Sequence, residues 1–412
     1  MNTNVSFVAK NSLCTGCGIC EDICPTKSIK IILHNGRWIP SVNQNTCISH
    51  KGCSQCLKVC AGKGINLMEA RNKLYSGGLK DRYAGLFRAA YTGYSTDENE
   101  RYHAASGGLV SRFLIFLLDK KIIDGAIVTA FSPHDHITPH AYIARTKNEI
   151  LQARGSKYCP VSMNKIGNIV RESTGRYIIV GLPCHIQGFR NRAKIDTKFR
   201  EKVFGYFAIY CSSNRTFHAM DYLFRKYRVK KSDINYFAFR DEGYLGNMII
   251  AGKNKISIGY NKYYGELHSY FKPRRCLSCI DHYGELADVC FGDIYISPYS
   301  KDTVGINSVL VRNEQFNEYI LQARKSEYLT LDPLDIGTLN DSQAAMLYPQ
   351  KRKVQALMNI DKLFGRPIAV YDCDLEKPEI KDYLSVLSTL IQCFIGSRHK
   401  LWGIITLLNK IR

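Results

Sequence analysis

The chain has 412 residues, which allows two or three domains. Its 45% apolar and 23% charged residues are ordinary for a globular protein, and 12 Pro with 31 Gly exclude collagen-like, low-complexity and wholly disordered classes. Lys and Arg (57) outnumber Asp and Glu (36) to give a net charge of +21, which favours anionic partners: a phosphorylated cofactor, an acidic protein, nucleic acid or a membrane face.

There are 16 cysteines, and their placement is informative. Residues 1–11 contain no continuous apolar stretch of the secretory kind, so a cytoplasmic location is expected. Thiols stay reduced there, and clustered cysteines read as metal or cluster ligands. The first run, Cys14, Cys17, Cys20 and Cys24 followed by Pro25, has the bacterial ferredoxin spacing. Gly16 and Gly18 allow the tight turns that bring thiolates together and free N–H groups for sulfur. Residues 28–33 read as a strand, Asn35-Gly36 as a hairpin turn, and Trp38-Ile39 as the return. The second run is Cys47, Cys53, Cys56 and Cys60, with a longer first gap and no following Pro. In two-cluster ferredoxins the fourth cysteine of a run crosses to the other cluster. Cys14, Cys17, Cys20 and Cys60 are therefore expected to hold one [4Fe-4S] cluster, and Cys47, Cys53, Cys56 and Cys24 the other. A pair of zinc sites is the competing reading. His50, inside the long gap, is expected to be solvated. Residues 1–70 carry seven Lys/Arg against three Asp/Glu. A basic cluster module of this kind is expected to be fused, or to receive an acidic donor.

Residues 76–100 read as a linker, with Gly77-Gly78 and an acidic polar run at 95–100. An α/β pattern follows. Ser106-Gly107-Gly108 opens a helix with an apolar face from Leu109 to Leu117, and residues 122–131 and 141–144 read as strands joined by a turn. His134, His136 and His140 in that turn are expected to be solvated. The strand at 177–180 ends in Gly181-Leu182-Pro183-Cys184, and the strand at 203–210 ends in Cys211. Both cysteines thus stand at carboxyl ends of strands, where open α/β sheets build sites. Cys276 and Cys279 form a further C-x2-C. On spacing alone, Cys184, Cys211, Cys276 and Cys279 are either a third cubane, or two ordinary buried thiols and a redox dithiol. Cys159, Cys290, Cys373 and Cys393 are isolated and read as structural. No Gly-x-Gly-x-x-Gly follows a strand, so no dinucleotide fingerprint is present.

Together, Ala105-Ser106-Gly107-Gly108, Ser156-Lys157-Tyr158, Gly181-Leu182-Pro183-Cys184, Tyr210-Cys211, Phe239-Arg240, Cys276 to Cys279, Ala287-Asp288, Gly292-Asp293 and Gly305 to Ser308 resemble the coenzyme F420 hydrogenase/dehydrogenase beta-subunit family. The resemblance spans about residues 1–312 and implies FAD beside a [4Fe-4S] cluster. It also implies Cys184, Cys211, Cys276 and Cys279 as ligands of that third cluster. A flavin belongs between a two-electron carrier and one-electron clusters. Ser106, Gly107 and Gly108 would face its pyrophosphate, Ser156 and Lys157 would add hydrogen bonds and charge, and Asp293 would hold the ribityl chain or a loop amide. Lys157 also reads as a solvated loop lysine, and Asp293 as a turn residue. Departures at Leu182, after Arg240, and at Ile294–Ile296, where the family often has Trp, leave the substrate open.

The expected architecture is an α/β flavin-binding domain with a mixed sheet (101–345), preceded by a bacterial-type two-cluster ferredoxin-like domain (1–75) and the linker (76–100). A basic amphipathic helical extension (346–412) follows. Its apolar runs are too short to span a bilayer, so peripheral membrane contact and docking on the protein's own core both remain as readings. The expected function is an iron–sulfur flavoprotein oxidoreductase linking a two-electron carrier, F420-type or similar, to a one-electron partner such as an acidic ferredoxin or redox enzyme. The alternatives are a ferredoxin-dependent reductase of a cell-surface polysaccharide precursor or other organic substrate, and a non-catalytic electron-transfer subunit. The basic run at 272–275 would meet a phosphorylated carrier, a nucleotide sugar or an acidic ferredoxin. Nothing beyond net charge points to nucleic acid, so that class is set aside.

Overall fold

A computed structural model describes residues 4–373 and 375–411; the side chain of Ile411 is outside the description. Among the described residues, thirteen strands of five or more residues organise the fold: β1 (Ile29–His34), β2 (Arg37–Val42), β3 (Ala89–Ser95), β4 (Gly125–Phe131), β5 (Pro139–Ala144), β6 (Tyr177–Gly181), β7 (Val203–Ile209), β8 (Tyr236–Asp241), β9 (Asn247–Ala251), β10 (Lys255–Gly259), β11 (Val289–Asp293), β12 (Asn307–Val311) and β13 (Leu329–Pro333). Shorter two- and three-residue strands accompany them. Six helices matter to the site: α1 (Leu109–Asp119), α2 (Pro183–Ile195), α3 (Phe217–Lys226), α4 (Gln350–Leu363), α5 (Ile380–Gly396) and α6 (Trp402–Ile411).

Eight strands form one mixed sheet in the order β13-β3-β12-β11-β7-β6-β4-β5. Its centre, β11-β7-β6-β4, is parallel, and both flanks are antiparallel. The period-2 alternation of strands sorts their residues between two cores. Ile178, Phe207, Ala126 and Val128 face one core with α1. Tyr177, Ile179, Tyr206, Ala208 and Ile127 face the other with α2. A separate three-stranded sheet, β8-β9-β10, packs with α3 around Phe239 and Tyr263.

The cysteine-rich N-terminus is docked on this body. Cys17, Ile19 and Val59 share the core that contains Ile186 and Phe189 of α2. Asp22 and Arg192 form an ion pair at 3.2 Å, each side chain only 1% exposed. Gly18 adopts φ +82° and lies so close to the body that a Cβ there would stand 2.3 Å from Ser162 Oγ. The β1–β2 hairpin follows the sequence reading, with His34 opposite Arg37 across Asn35-Gly36.

The expected linker is corrected. Residues 89–95 form β3, an interior strand bonded to both β12 and β13. Its sequence, AAYTGYS, is small and polar because neighbours crowd it: a Cβ on Gly93 would be 2.1 Å from the Thr330 carbonyl oxygen. The C-terminal region carries α4, α5 and α6, and it also reaches back. Val370–Tyr371 pairs in parallel with Gly64–Ile65 of the N-terminal region.

Candidate functional site

The cysteines stand on loops whose backbone is shaped for them. Gly16 adopts φ +77° and donates its N–H to Cys14 Sγ at 3.4 Å. Ser28 N–H donates to Cys24 Sγ at 3.3 Å, and Asn4 Nδ2 to Cys47 Sγ at 3.6 Å. His50 sits away from this chemistry, its Nδ1 bonded to the Cys47 carbonyl at 3.1 Å. Cys184 is at the start of α2, just beyond β6, and Cys211 is just beyond β7. The adjacent parallel strands β6 and β7 therefore bring their two loops side by side. Cys276 and Cys279 lie on the 274–279 turn.

Mutual repulsion among the buried thiols fits three coupled sets. Burial pushes Cys14 up to about 12, with Cys17 and Cys60 adding repulsion. Burial drives Cys20 well above its ordinary value, and Cys17, Cys14, Cys60 and Cys56 raise it further. Cys56 is raised by burial and then by Cys24, Cys47 and Cys53. Cys184 is driven well up by burial, then by Cys211, Cys17, Cys276 and Cys279. Charge on Cys56 also raises Cys20, and charge on Cys17 also raises Cys184, so the set 14/17/20/60 is electrostatically coupled to both others. Buried thiols that repel each other suit a polynuclear cation, which holds its thiols as thiolates. Among the described residues no three His, Cys, Asp or Glu side chains are arranged to hold a single metal ion. A cubane separates its thiolates more widely than one ion does.

Cations stand beside the third set. Arg215 is buried, bonds Ser213 Oγ at 3.1 Å and lies over the Tyr264 ring at 4.9 Å. Arg275 is buried and donates to the Gly62 carbonyl at 2.9 Å and the Ala61 carbonyl at 3.2 Å. It thereby ties the Cys276 turn to the loop after Cys60. The basic run at 272–275 is thus partly turned inward, with Arg274 paired to Asp361. That corrects its reading as a free anion-binding surface. Sequence reasoning missed Arg215; its signal was a lone cation four residues after Cys211.

The expected flavin contacts are placed differently from expectation. Gly107 packs against the sheet: a Cβ there would be 2.7 Å from the Gly93 carbonyl oxygen and 2.8 Å from Asn307 N. The first amide of α1, Leu109 N, is already given to Asn307 Oδ1 at 3.1 Å, and Ser106 Oγ donates to the Ile306 carbonyl at 2.9 Å. Lys157 Nζ gives its three protons to the carbonyls of Ala153, Arg154 and Gly155 at 2.5, 2.9 and 3.0 Å, and burial lowers its ammonium to about 7. Ser156 is half-buried in the same loop. Asp293 Oδ2 accepts from Arg240 Nη1 at 2.6 Å and from Tyr295 Oη at 2.8 Å. Ser106 Oγ, Lys157 Nζ and Asp293 Oδ2 thus have partners within the protein itself. Arg240 Nη2 is an unfilled donor in this region, buried without a partner and set among Tyr158, Tyr244, Tyr260 and Tyr295; Arg215 Nε, over Tyr264 of the same tyrosine cluster, is another. A buried cation with one free N–H and aromatic neighbours fits a planar ring with a carbonyl edge.

No described helix is long and apolar enough to cross a membrane. Residues 90–167 match the family model for the N-terminal part of the coenzyme F420 hydrogenase/dehydrogenase beta subunit, residues 174–336 match that for its C terminus, and residues 9–30 match a 4Fe-4S binding domain. The chain is 28% identical over 290 residues to the coenzyme F420 hydrogenase subunit beta of Methanococcus voltae, covering 66% of this chain and 91% of that one. It is 22% identical to the coenzyme F420-dependent sulfite reductase of Methanocaldococcus jannaschii, covering 80% of this chain and 48% of that one. It is 21% identical to the chloroplastic 7-hydroxymethyl chlorophyll a reductase of Oryza sativa subsp. japonica, covering 65% and 60%. A chain in the structure of the F420-reducing [NiFe] hydrogenase complex from Methanosarcina barkeri shares the fold, with TM-score 0.55 at 20% identity, covering 71% of this chain and 98% of that one. With its two halves matched in order behind a 4Fe-4S motif, the chain belongs to the coenzyme F420 hydrogenase/dehydrogenase beta-subunit family of oxidoreductases.

Proposed function

We propose that this oxidoreductase passes electrons between a two-electron carrier of the F420 type and a one-electron partner, through a flavin and three [4Fe-4S] clusters. The observation that carries the reading is the seating of the N-terminal cysteine module on the loops that bear the third set: Cys17 shares a core with Ile186 of α2, and Arg275, beside Cys276, bonds the Ala61 and Gly62 carbonyls just after Cys60. Cys24, Cys47, Cys53 and Cys56 would hold the outer cluster, and Cys14, Cys17, Cys20 and Cys60 the middle one. Cys184, Cys211, Cys276 and Cys279 would hold the inner cluster. The packing of Cys17 in one core with Ile186, two residues after Cys184, supports electron passage between the N-terminal module and the body. FAD, when bound, supplies the exchange between hydride and single electrons. Arg240 is the residue best placed to hold its ring: its charge is anchored by Asp293 and its Nη2 is free. The tyrosines around Arg240 would exclude water from the ring.

Anaerobic iron, sulfide and extracted-flavin counts test the reading. About twelve irons and one FAD per chain are expected, with bleaching by reduced F420 in preference to NADH. About eight irons without flavin would overturn the catalytic reading of the body and leave only the N-terminal module.

A further inference from the structure

The two C-terminal helices are apolar on two sides, whereas a surface helix needs one. Their inner sides are occupied. On α5, Val386 is buried with Ala356 and Leu357 of α4. Gln392 Oε1 accepts from Ser269 N–H at 3.0 Å, and Cys393 Sγ donates to the Ser269 carbonyl at 3.1 Å. On α6, Trp402 and Ile405 are buried beside Tyr222 and Phe271. The outer sides are apolar too. Along α5, Ile380, Leu384, Leu387, Ile391 and Phe394 recur at steps of four and three residues and are 80, 62, 46, 62 and 53% exposed. On α6, Ile404, Leu407 and Leu408 are exposed. Scattered exposed apolar residues need no account, but a continuous stripe marks a contact.

Charge indicates the partner. From Tyr383 to the last residue the sequence has four Lys/Arg and no Asp or Glu. Arg398 and Lys400 are exposed at the bend between the helices, and Lys410 is exposed near the end of α6. Past Lys381, Ser385, Ser388 and Thr389 stand between the apolar positions of α5, in place of the charged flanks that set partner and register in a coiled coil. A neutral polar face, an apolar stripe and cations at the helix ends suit a lipid surface. We propose that α5 and α6 seat this chain on an anionic bilayer, with the α5 stripe at the acyl boundary and Arg398, Lys400 and Lys410 at the headgroups. The inference uses none of the residues that carry the electron-transfer reading.

The test is flotation of the full-length, iron-loaded chain with vesicles of phosphatidylglycerol and phosphatidylethanolamine, against vesicles of phosphatidylcholine alone. The chain is expected to float with the anionic vesicles and to be released by high salt. Lys400→Gln should weaken binding about fivefold. The Leu384→Glu/Ile391→Glu double variant should weaken it about tenfold or more. Both positions are exposed, so iron content and circular dichroism should match the parent and separate lost binding from misfolding. No flotation with anionic vesicles would overturn the proposal, as would equal binding to both compositions. A dimer in sedimentation that the double variant abolishes, with no vesicle binding, would assign the stripe to a second copy and overturn it equally.

Discussion

The crossing of ligands between the two N-terminal runs is open to a direct count. Cys60 lies in the second run but acts on Cys14 and Cys20, while Cys24 lies in the first run but acts on Cys56. If each set holds one four-iron cluster, the loaded chain carries about twelve irons. Cys14→Ala should bring this to about eight. Adding Cys60→Ala should remove nothing more, because it strikes a set already lost. Adding Cys56→Ala to Cys60→Ala should remove a second cluster and leave about four irons. An uncrossed arrangement, with each run holding its own cluster, predicts the reverse for the two double variants. The assay is anaerobic reconstitution followed by iron and acid-labile sulfide per chain, with circular dichroism confirming that the body stays folded. About four irons in Cys14→Ala/Cys60→Ala, with about eight in Cys56→Ala/Cys60→Ala, would refute the sorting of thiols by mutual repulsion.

Other perturbations follow from the same geometry. Arg192→Met should destabilise the protein by about 3–5 kcal/mol in urea unfolding, because Asp22 would keep a buried charge without its cation, while Asp196 retains Arg171; a loss under about 1 kcal/mol would contradict this role in docking the N-terminal module. Gly292→Ala should cost about 1–3 kcal/mol and disturb the segment leading to Cys211, since the new Cβ would stand 2.0 Å from Tyr210 Cδ2; an unchanged melting curve would show that the ring moves freely. Lys157→Met should cost about 1–3 kcal/mol by stranding three carbonyls. The native ammonium is lowered to about 7 while the unfolded chain keeps its ordinary value near 10.5, so between these pH values the unfolded state binds the extra proton. Parent stability should therefore rise with pH across that window, and the rise should be absent in Lys157→Met. Arg240→Met should lower flavin content on reconstitution while leaving iron unchanged; full flavin content would move the ring elsewhere.

What was legible in the sequence is what depends on near neighbours in the chain. The first cysteine run encodes its own loop, because close spacing and two glycines at positive φ are enough to turn Cys14, Cys17 and Cys20 to one side. The Asn35-Gly36 hairpin and the cysteines after β6 and β7 are local in the same sense. Grouping Cys184 with Cys211 needed one further rule, that adjacent parallel strands present their carboxyl ends together. β3 could not be read this way. Its strand character comes from β12 and β13, more than 200 residues later, and those neighbours demand the small residues that resemble a linker. The same cause explains the flavin contacts. A helix start after a serine–glycine–glycine turn offers its first amide only if nothing distant claims it, and here Asn307 takes that of Leu109. Lys157 looks like a free cation until its loop folds three carbonyls around it. Arg240 looked like one more family marker, yet burial, with bonds only to Asp293 and the Leu245 carbonyl, leaves its Nη2 unfilled. Residue type therefore identified the chemistry available, while occupancy by remote partners decided which of those groups remained open to a ligand.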